Sequence, residues 1–133
     1  MAKAFGGSSP SWCTNYWGYM FTEAKTHNEQ GNVGLGAAIA YYTSKMYIVS
    51  IPLNDNQGYD LIVDKNGILR RIQVKTSKLK KVNSYWVELS NNKNYDDLFI
   101  LLEDGKKFEI PFNDIKQINR TIVIQKKYLK YQI

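Results

Sequence analysis

Tyr59-Asp60-Leu61-Ile62-Val63-Asp64-Lys65-Asn66-Gly67-Ile68-Leu69-Arg70-Arg71-Ile72-Gln73-Val74-Lys75-Thr76 is the stretch from which the fold is read. Asn66-Gly67 between two runs of aliphatic residues predicts a two-residue hairpin turn, because both central positions must take positive φ and these residues tolerate it. With Lys65 opposite Ile68, facing positions sum to 133, so Asp60 lies across from Gln73. Strand alternation adds Lys75 to that face and sends Leu61, Val63, Ile72 and Val74 to the other, toward a core. A three-residue turn would break this alignment, so the expectation rests on the Asn-Gly register.

Asp60, Gln73 and Lys75 form a chemically purposeful set. An aspartate binds a hard cation such as Mg²⁺ through oxygen, a glutamine carbonyl adds a neutral ligand, and the Val74 main-chain carbonyl is near enough to join them. Lys75 sits where an ammonium can hold or deprotonate a water, or offset charge building on a phosphate. Together they would support metal-assisted hydrolysis of a phosphodiester. A surface strand pair carrying a solvated Asp, Gln and Lys has the same composition, and geometry alone does not choose between the two.

Outward from the hairpin, residues 32–45 are rich in alanine, free of proline and apolar on more than one side, which predicts a helix packed on a sheet. Gly31, Gly34 and Gly36 at its start mark a place where backbone comes close to something else, a strand or a phosphate. Residues 46–51, 59–64 and 68–76 read as three strands, and residues 85–89, 98–102, 107–110 and 121–125 as four more, with Asp104-Gly105 as a tight turn. A short helical turn is expected around residues 113–117. Residues 1–28 begin with a Gly/Ser/Pro-rich stretch and continue with Trp12, Tyr16, Trp17, Tyr19 and Phe21. They read as an N-terminal arm whose aromatics either clamp it to the core or stack on bases, while residues 29–133 form the domain proper.

With 133 residues the chain can bury one core but not two. No apolar run is long enough for a membrane helix or a signal peptide, so a cytoplasmic protein is expected. One cysteine, Cys13, and one histidine, His27, exclude an internal disulfide and a Cys/His zinc site built from this chain alone. Hydrolases that need a histidine partner for Ser or Cys would have to be built on His27, and no serine lies in a strand-to-helix elbow. Residues 1–64 carry three basic against five acidic groups, so the net charge of +6 comes from a remainder that is +8. Six of those cations lie between Arg70 and Lys81, which points to a polyanionic partner, although a lysine-rich face also serves solubility.

Tyr47-Ile48-Val49-Ser50-Ile51-Pro52-Leu53, Tyr59-Asp60-Leu61-Ile62-Val63 and Arg71-Ile72-Gln73-Val74-Lys75-Thr76 resemble the PD-(D/E)xK nuclease superfamily. The branch most similar is that of the small intron-encoded homing endonucleases, in which glutamine often stands for the acid before the lysine; archaeal Holliday-junction resolvases are more distantly similar. The resemblance covers residues 31–76 well and the strands to about residue 110 loosely. It implies a restriction-endonuclease-like α/β fold, a mixed β-sheet with a flanking helix. It also implies a DNA endonuclease using Mg²⁺, with Mn²⁺ able to substitute, in which Asp60 ligates the metal, Gln73 is the second ligand and Lys75 is the catalytic lysine. The family's first helix commonly carries a Gly-Glu pair, and this chain has Gly34-Leu35-Gly36 there, with Glu29 the nearest upstream carboxylate. One sure negative charge, Asp60, should hold Mg²⁺ weakly without DNA. A catalytically inactive nucleic-acid-binding module on the same fold is therefore the alternative.

Beside such a site, Arg70, Arg71, Lys78, Lys80 and Lys81 are expected to hold the DNA backbone. Lys126, Lys127 and Lys130, interleaved with Tyr128 and Tyr131, read as a second contact or an ordinary tail. Asp96-Asp97 reads as a loop or cap pair, Asp55 as a turn residue, His27 as a surface or cap residue and Cys13 as a buried small side chain. The expected substrate is double-stranded DNA; a chain this small covers little of a duplex and cutting both strands needs two sites, so a homodimer or homotetramer is expected.

Overall fold

A computed structural model describes residues 21–81 and 84–133, apart from the side chain of Lys81; the arm's Trp12, Cys13, Tyr16, Trp17 and Tyr19 lie outside the described residues. Helix α1, His27–Ser44, begins five residues earlier than expected because Thr26 and Glu29 form a capping box. The Thr26 hydroxyl accepts from the Glu29 amide at 3.1 Å, and the Glu29 carboxylate accepts from the amides of Thr26 and Lys25 at 3.2 and 2.6 Å. The buried residues Gln30, Gly34, Ala38 and Tyr42 recur every fourth position, a stripe that lies against the sheet. At Gly34 an added Cβ would come within 2.4 Å of the Thr76 side chain, so the glycine serves close helix-to-strand packing. The neighbour is a strand, and among the described residues nothing beyond the adjoining helix lies within 4 Å of where a Cβ would stand at Gly31 or Gly36.

The strands are β1 Ile48–Ser50, β2 Leu61–Lys65, β3 Ile68–Ser77, β4 Leu79–Lys81, β5 Ser84–Glu88, β6 Asp97–Leu102, β7 Lys107–Pro111 and β8 Thr121–Ile124. Two 3₁₀ segments, Phe112–Asp114 of one turn and Lys126–Tyr131 of two, complete the described chain. A mixed sheet has the order β1-β2-β3-β6-β7, with β3 and β6 parallel and the other pairs antiparallel; a second sheet has the order β4-β5-β8. Asn66 and Gly67 take φ of 56° and 82°, the Gly67 amide donates to Asp64 Oδ1 at 2.9 Å, and Lys65 faces Ile68. This is the two-residue turn expected, in its expected register. Strand β4 escaped sequence reading because its three residues continue almost directly from β3.

Both faces of the mixed sheet are covered where β6 runs, which explains why Asp97–Leu102 is buried throughout. On one face α1 packs Ala38 and Tyr42 over Leu61, Val63, Ile72, Phe99 and Leu101. On the other, the second sheet packs Val87 and Ile122 over Leu98, Ile100 and Leu102. Phe21 is buried in the helix-side core, so that core draws on residues from the stretch read as an arm. Gln73 and Lys75 pair with Leu98 and Ile100 across the sheet and so share the face of the second sheet, at the border where its cover ends.

Candidate nuclease site

Asp60 stands at the entrance to β2, held by its amide donating to the Ile72 carbonyl at 2.8 Å. Its Oδ2 accepts twice, from Gln73 Nε2 at 2.6 Å and from the Val74 amide at 2.7 Å. Its Oδ1 has no donor among the described residues and keeps its lone pairs available. The Val74 carbonyl lies 3.4 Å from Gln73 Nε2, so a carboxylate, an amide and a main-chain oxygen are gathered in one place. Lys75 Nζ donates to Ser90 Oγ at 2.9 Å, which leaves two ammonium protons uncommitted by that bond. Ser90 comes from the loop after β5 and carries no sequence signal for this role.

Burial governs the electrostatics here. It raises the Asp60 carboxyl above its ordinary range, outweighing the Val74 amide, Lys75 and Gln73, which favour the charged form. It lowers Lys75, outweighing the attraction of Asp60 and Glu88. Both charges are thus incompletely compensated, and a cation beside Asp60 would relieve the acid. Among the described residues no three His, Cys, Asp or Glu side chains gather to form a metal cluster. Glu29, the nearest upstream carboxylate, is used in the helix cap. From the helix Gln30 reaches this end of β3, its Nε2 donating to Thr76 Oγ1 at 2.9 Å. Its place on the buried stripe four residues before Gly34 is the signal that sequence reading passed over.

A cleft of about 650 Å³ runs on from Lys75. It is lined by Gln30 and Gly31 of α1, by Lys78 and Lys80, and by Trp86 and Glu88 of β5. The exposed Lys80 places its Nζ 6.0 Å from the Trp86 ring centre. In the structure Arg70 and Arg71, expected at the DNA, each have an internal partner. Arg70 shares the helix face with Ile72 and pairs with Asp97 at 2.5 Å; Arg71 pairs with Asp96 at 2.9 Å and donates to the Asn94 side-chain oxygen Oδ1. Asp96 closes the loop before β6, as expected, whereas Asp97 opens the strand and is 2% exposed; the chain folds an arginine onto each acid. Asp55 is an exposed loop residue and His27 an exposed first residue of α1. Lys127 and Lys130 lie over the rings of Tyr128 and Tyr131, at 5.0 and 4.9 Å.

No curated protein sequence matches the chain. A solved structure described as a bacterial homing endonuclease, I-Ssp6803I, superposes with a TM-score of 0.72 at 25% identity, over 80% of this chain and 87% of that one. The PD-(D/E)XK endonuclease family matches residues 25–116, from the helix cap through the hairpin to just past the first 3₁₀ segment. With that match over most of its length, and the fold to go with it, the chain belongs to the PD-(D/E)XK endonuclease family.

Proposed function

We propose that the chain is a metal-dependent endonuclease that hydrolyses phosphodiester bonds in double-stranded DNA. The observation that carries this reading is the half-buried Asp60 with one oxygen held by Gln73 and Val74 and the other open, beside a lysine with protons to give. That donor set would suit a hard divalent cation, Mg²⁺ or Mn²⁺: Asp60 Oδ1 and the Val74 carbonyl would be its protein ligands, and the Gln73 side-chain carbonyl would join them once the carboxamide, whose Nε2 faces Asp60 and Val74, turns its oxygen inward. When bound, the cation supplies Lewis-acid polarisation of the phosphate.

The protein's own groups do the rest. Gln73 and the Val74 amide fix the Asp60 carboxylate in place, so its open oxygen is pre-oriented. Ser90 holds Lys75 by one hydrogen bond, and the two remaining ammonium protons face a phosphate oxygen or the attacking water. As water adds to phosphorus and the ester oxygen leaves with a proton, Lys75 offsets the negative charge that builds on the phosphate. Lys78 and Lys80 lie along the cleft where the strand would pass and neutralise its phosphates. Cutting both strands calls for two copies, so a homodimer or homotetramer belongs to this reading.

Supercoiled plasmid incubated with the protein and Mg²⁺ or Mn²⁺ tests it. Nicking should appear with the cation, vanish on its chelation, and be lost in Asp60→Ala and Lys75→Ala. Equal nicking by wild type and both variants would remove the enzyme reading. The single carboxylate favours a second reading, an inactive DNA-binding module, for which no protein nicks and the wild type still shifts duplex DNA in a salt-dependent manner. Among the described residues no helix is long and apolar enough to cross a membrane.

A further inference from the structure

The Asp60 site has two unlike sides. The cleft side is cationic, whereas the other is built from amides. Residues 52–59, which lead into Asp60, and residues 89–96, which carry Ser90, meet there. Asn92 Nδ2 donates to the Asn56 carbonyl and Asn94 Nδ2 to the Gln57 carbonyl, both at 3.3 Å. Gly58, at φ +88°, lies so close that an added Cβ would stand 2.7 Å from the Asn92 carboxamide. The two loops are thereby one platform.

Charge has been drawn away from this platform. Lys93 turns to the Ile118 and Asn119 carbonyls at 2.5 and 3.2 Å, and Asp96 is taken by Arg71. What faces outward is Asn54, Asn56 and Asn91, all exposed, whose side chains have no protein partner among the described residues, together with the fully exposed Leu53. Asp55 is the one exposed charge among them. Turn-forming asparagines are common, but they do not call for a bare leucine beside them. Free amides with an apolar neighbour are what base edges require: a carboxamide bonds adenine through two atoms, and an aliphatic group meets the thymine methyl.

Resting on the DNA reading above, we propose that the joined loops 52–59 and 89–96 read base edges in the major groove beside the cleavage point, with Asn54, Asn56 and Asn91 hydrogen-bonding to adenine and Leu53 touching a thymine methyl. Phosphates are held on the lysine side of Asp60 and sequence is read on the amide side. The platform's internal ties reduce the ordering that binding must impose on the loops.

Duplex DNA selected from a randomised library by binding to the full chain should be enriched in A·T pairs at a fixed position. The Asn54→Ala/Asn56→Ala/Asn91→Ala variant, with its folding checked by circular dichroism, should lose that preference by roughly tenfold or more. Replacing thymine by uracil in the selected site should weaken binding by the wild type and leave binding by Leu53→Ser unchanged. Identical sequences selected by wild type and triple variant, or none selected by the wild type, would overturn the proposal. Plasmid nicking is scored apart: preference without nicking sinks the hydrolytic reading and keeps this one, and nicking without preference does the reverse.

Discussion

Asp60 and Asp97 flank β3 from opposite faces, each buried enough for its carboxyl to be raised, in the case of Asp97 to about 6. Asp97 is closed: it is 2% exposed and takes the Arg70 guanidinium at 2.5 Å, on the face where Tyr42 donates to Glu109 at 2.5 Å. Asp60 is open, with one oxygen taken by an amide and a main-chain N-H and the other facing no donor among the described residues. Lys75, the cation nearest Asp60, is held by Ser90 rather than by the acid. A buried acid with its own arginine holds a fold together; one denied a full counter-charge is left ready for a cation.

The sharpest separation of the two is in activity. Asp60→Asn and Lys75→Ala should each lower plasmid nicking by about 100-fold or more, as loss of a pre-organised charge does, while thermal unfolding moves little. Arg70→Ala should show the opposite pattern. It leaves Asp97 buried without its counter-charge and should cost about 2 kcal/mol in a urea titration, below the figure for fully buried pairs because the Arg70 side chain is 45% exposed. Adding Asp97→Asn should recover part of that loss, and nicking should follow only the folded fraction. If Arg70→Ala instead abolished nicking at unchanged stability, the closed acid would belong to the site.

Lys78→Ala and Lys80→Ala come next. Each should weaken duplex binding alike for all sequences and reduce the slope of log affinity against log salt by about 1, read by gel shift at several salt concentrations. The smallest effect lies in pH. Folded Asp97 keeps its proton up to about pH 6, whereas the unfolded chain releases it near 3.8. The folded state therefore binds more protons between those values, and the stability from this group falls as pH rises through that window. Asp97→Asn should remove that component, so its unfolding curve should be flatter than the wild type's from pH 4 to 6.

The hairpin was legible because its information is local. Asn66-Gly67 sets the turn, the turn sets the register, and the register puts Asp60 opposite Gln73 with Lys75 on the same face. The residues around it were not legible in the same way. The ion pairs of Arg70 and Arg71 were hidden because nothing within the hairpin indicates that β6 lies parallel to β3 and brings Asp96 and Asp97 to them from 25 or more residues away. Ser90, Glu88 and Trp86 arrive by the same kind of long connection. Gln30 depends on the angle at which α1 crosses the sheet, which a glycine-rich stretch does not reveal.

By itself, the sequence determined the turn, the pairing of β2 with β3, the face shared by Asp60, Gln73 and Lys75, and the excess of cations after residue 64, since periodicity and φ preference act between near neighbours. Only the tertiary structure decided which acids are closed and which is open, because that depends on strands and loops distant in the chain bringing a counter-charge, or withholding one, at a given carboxylate.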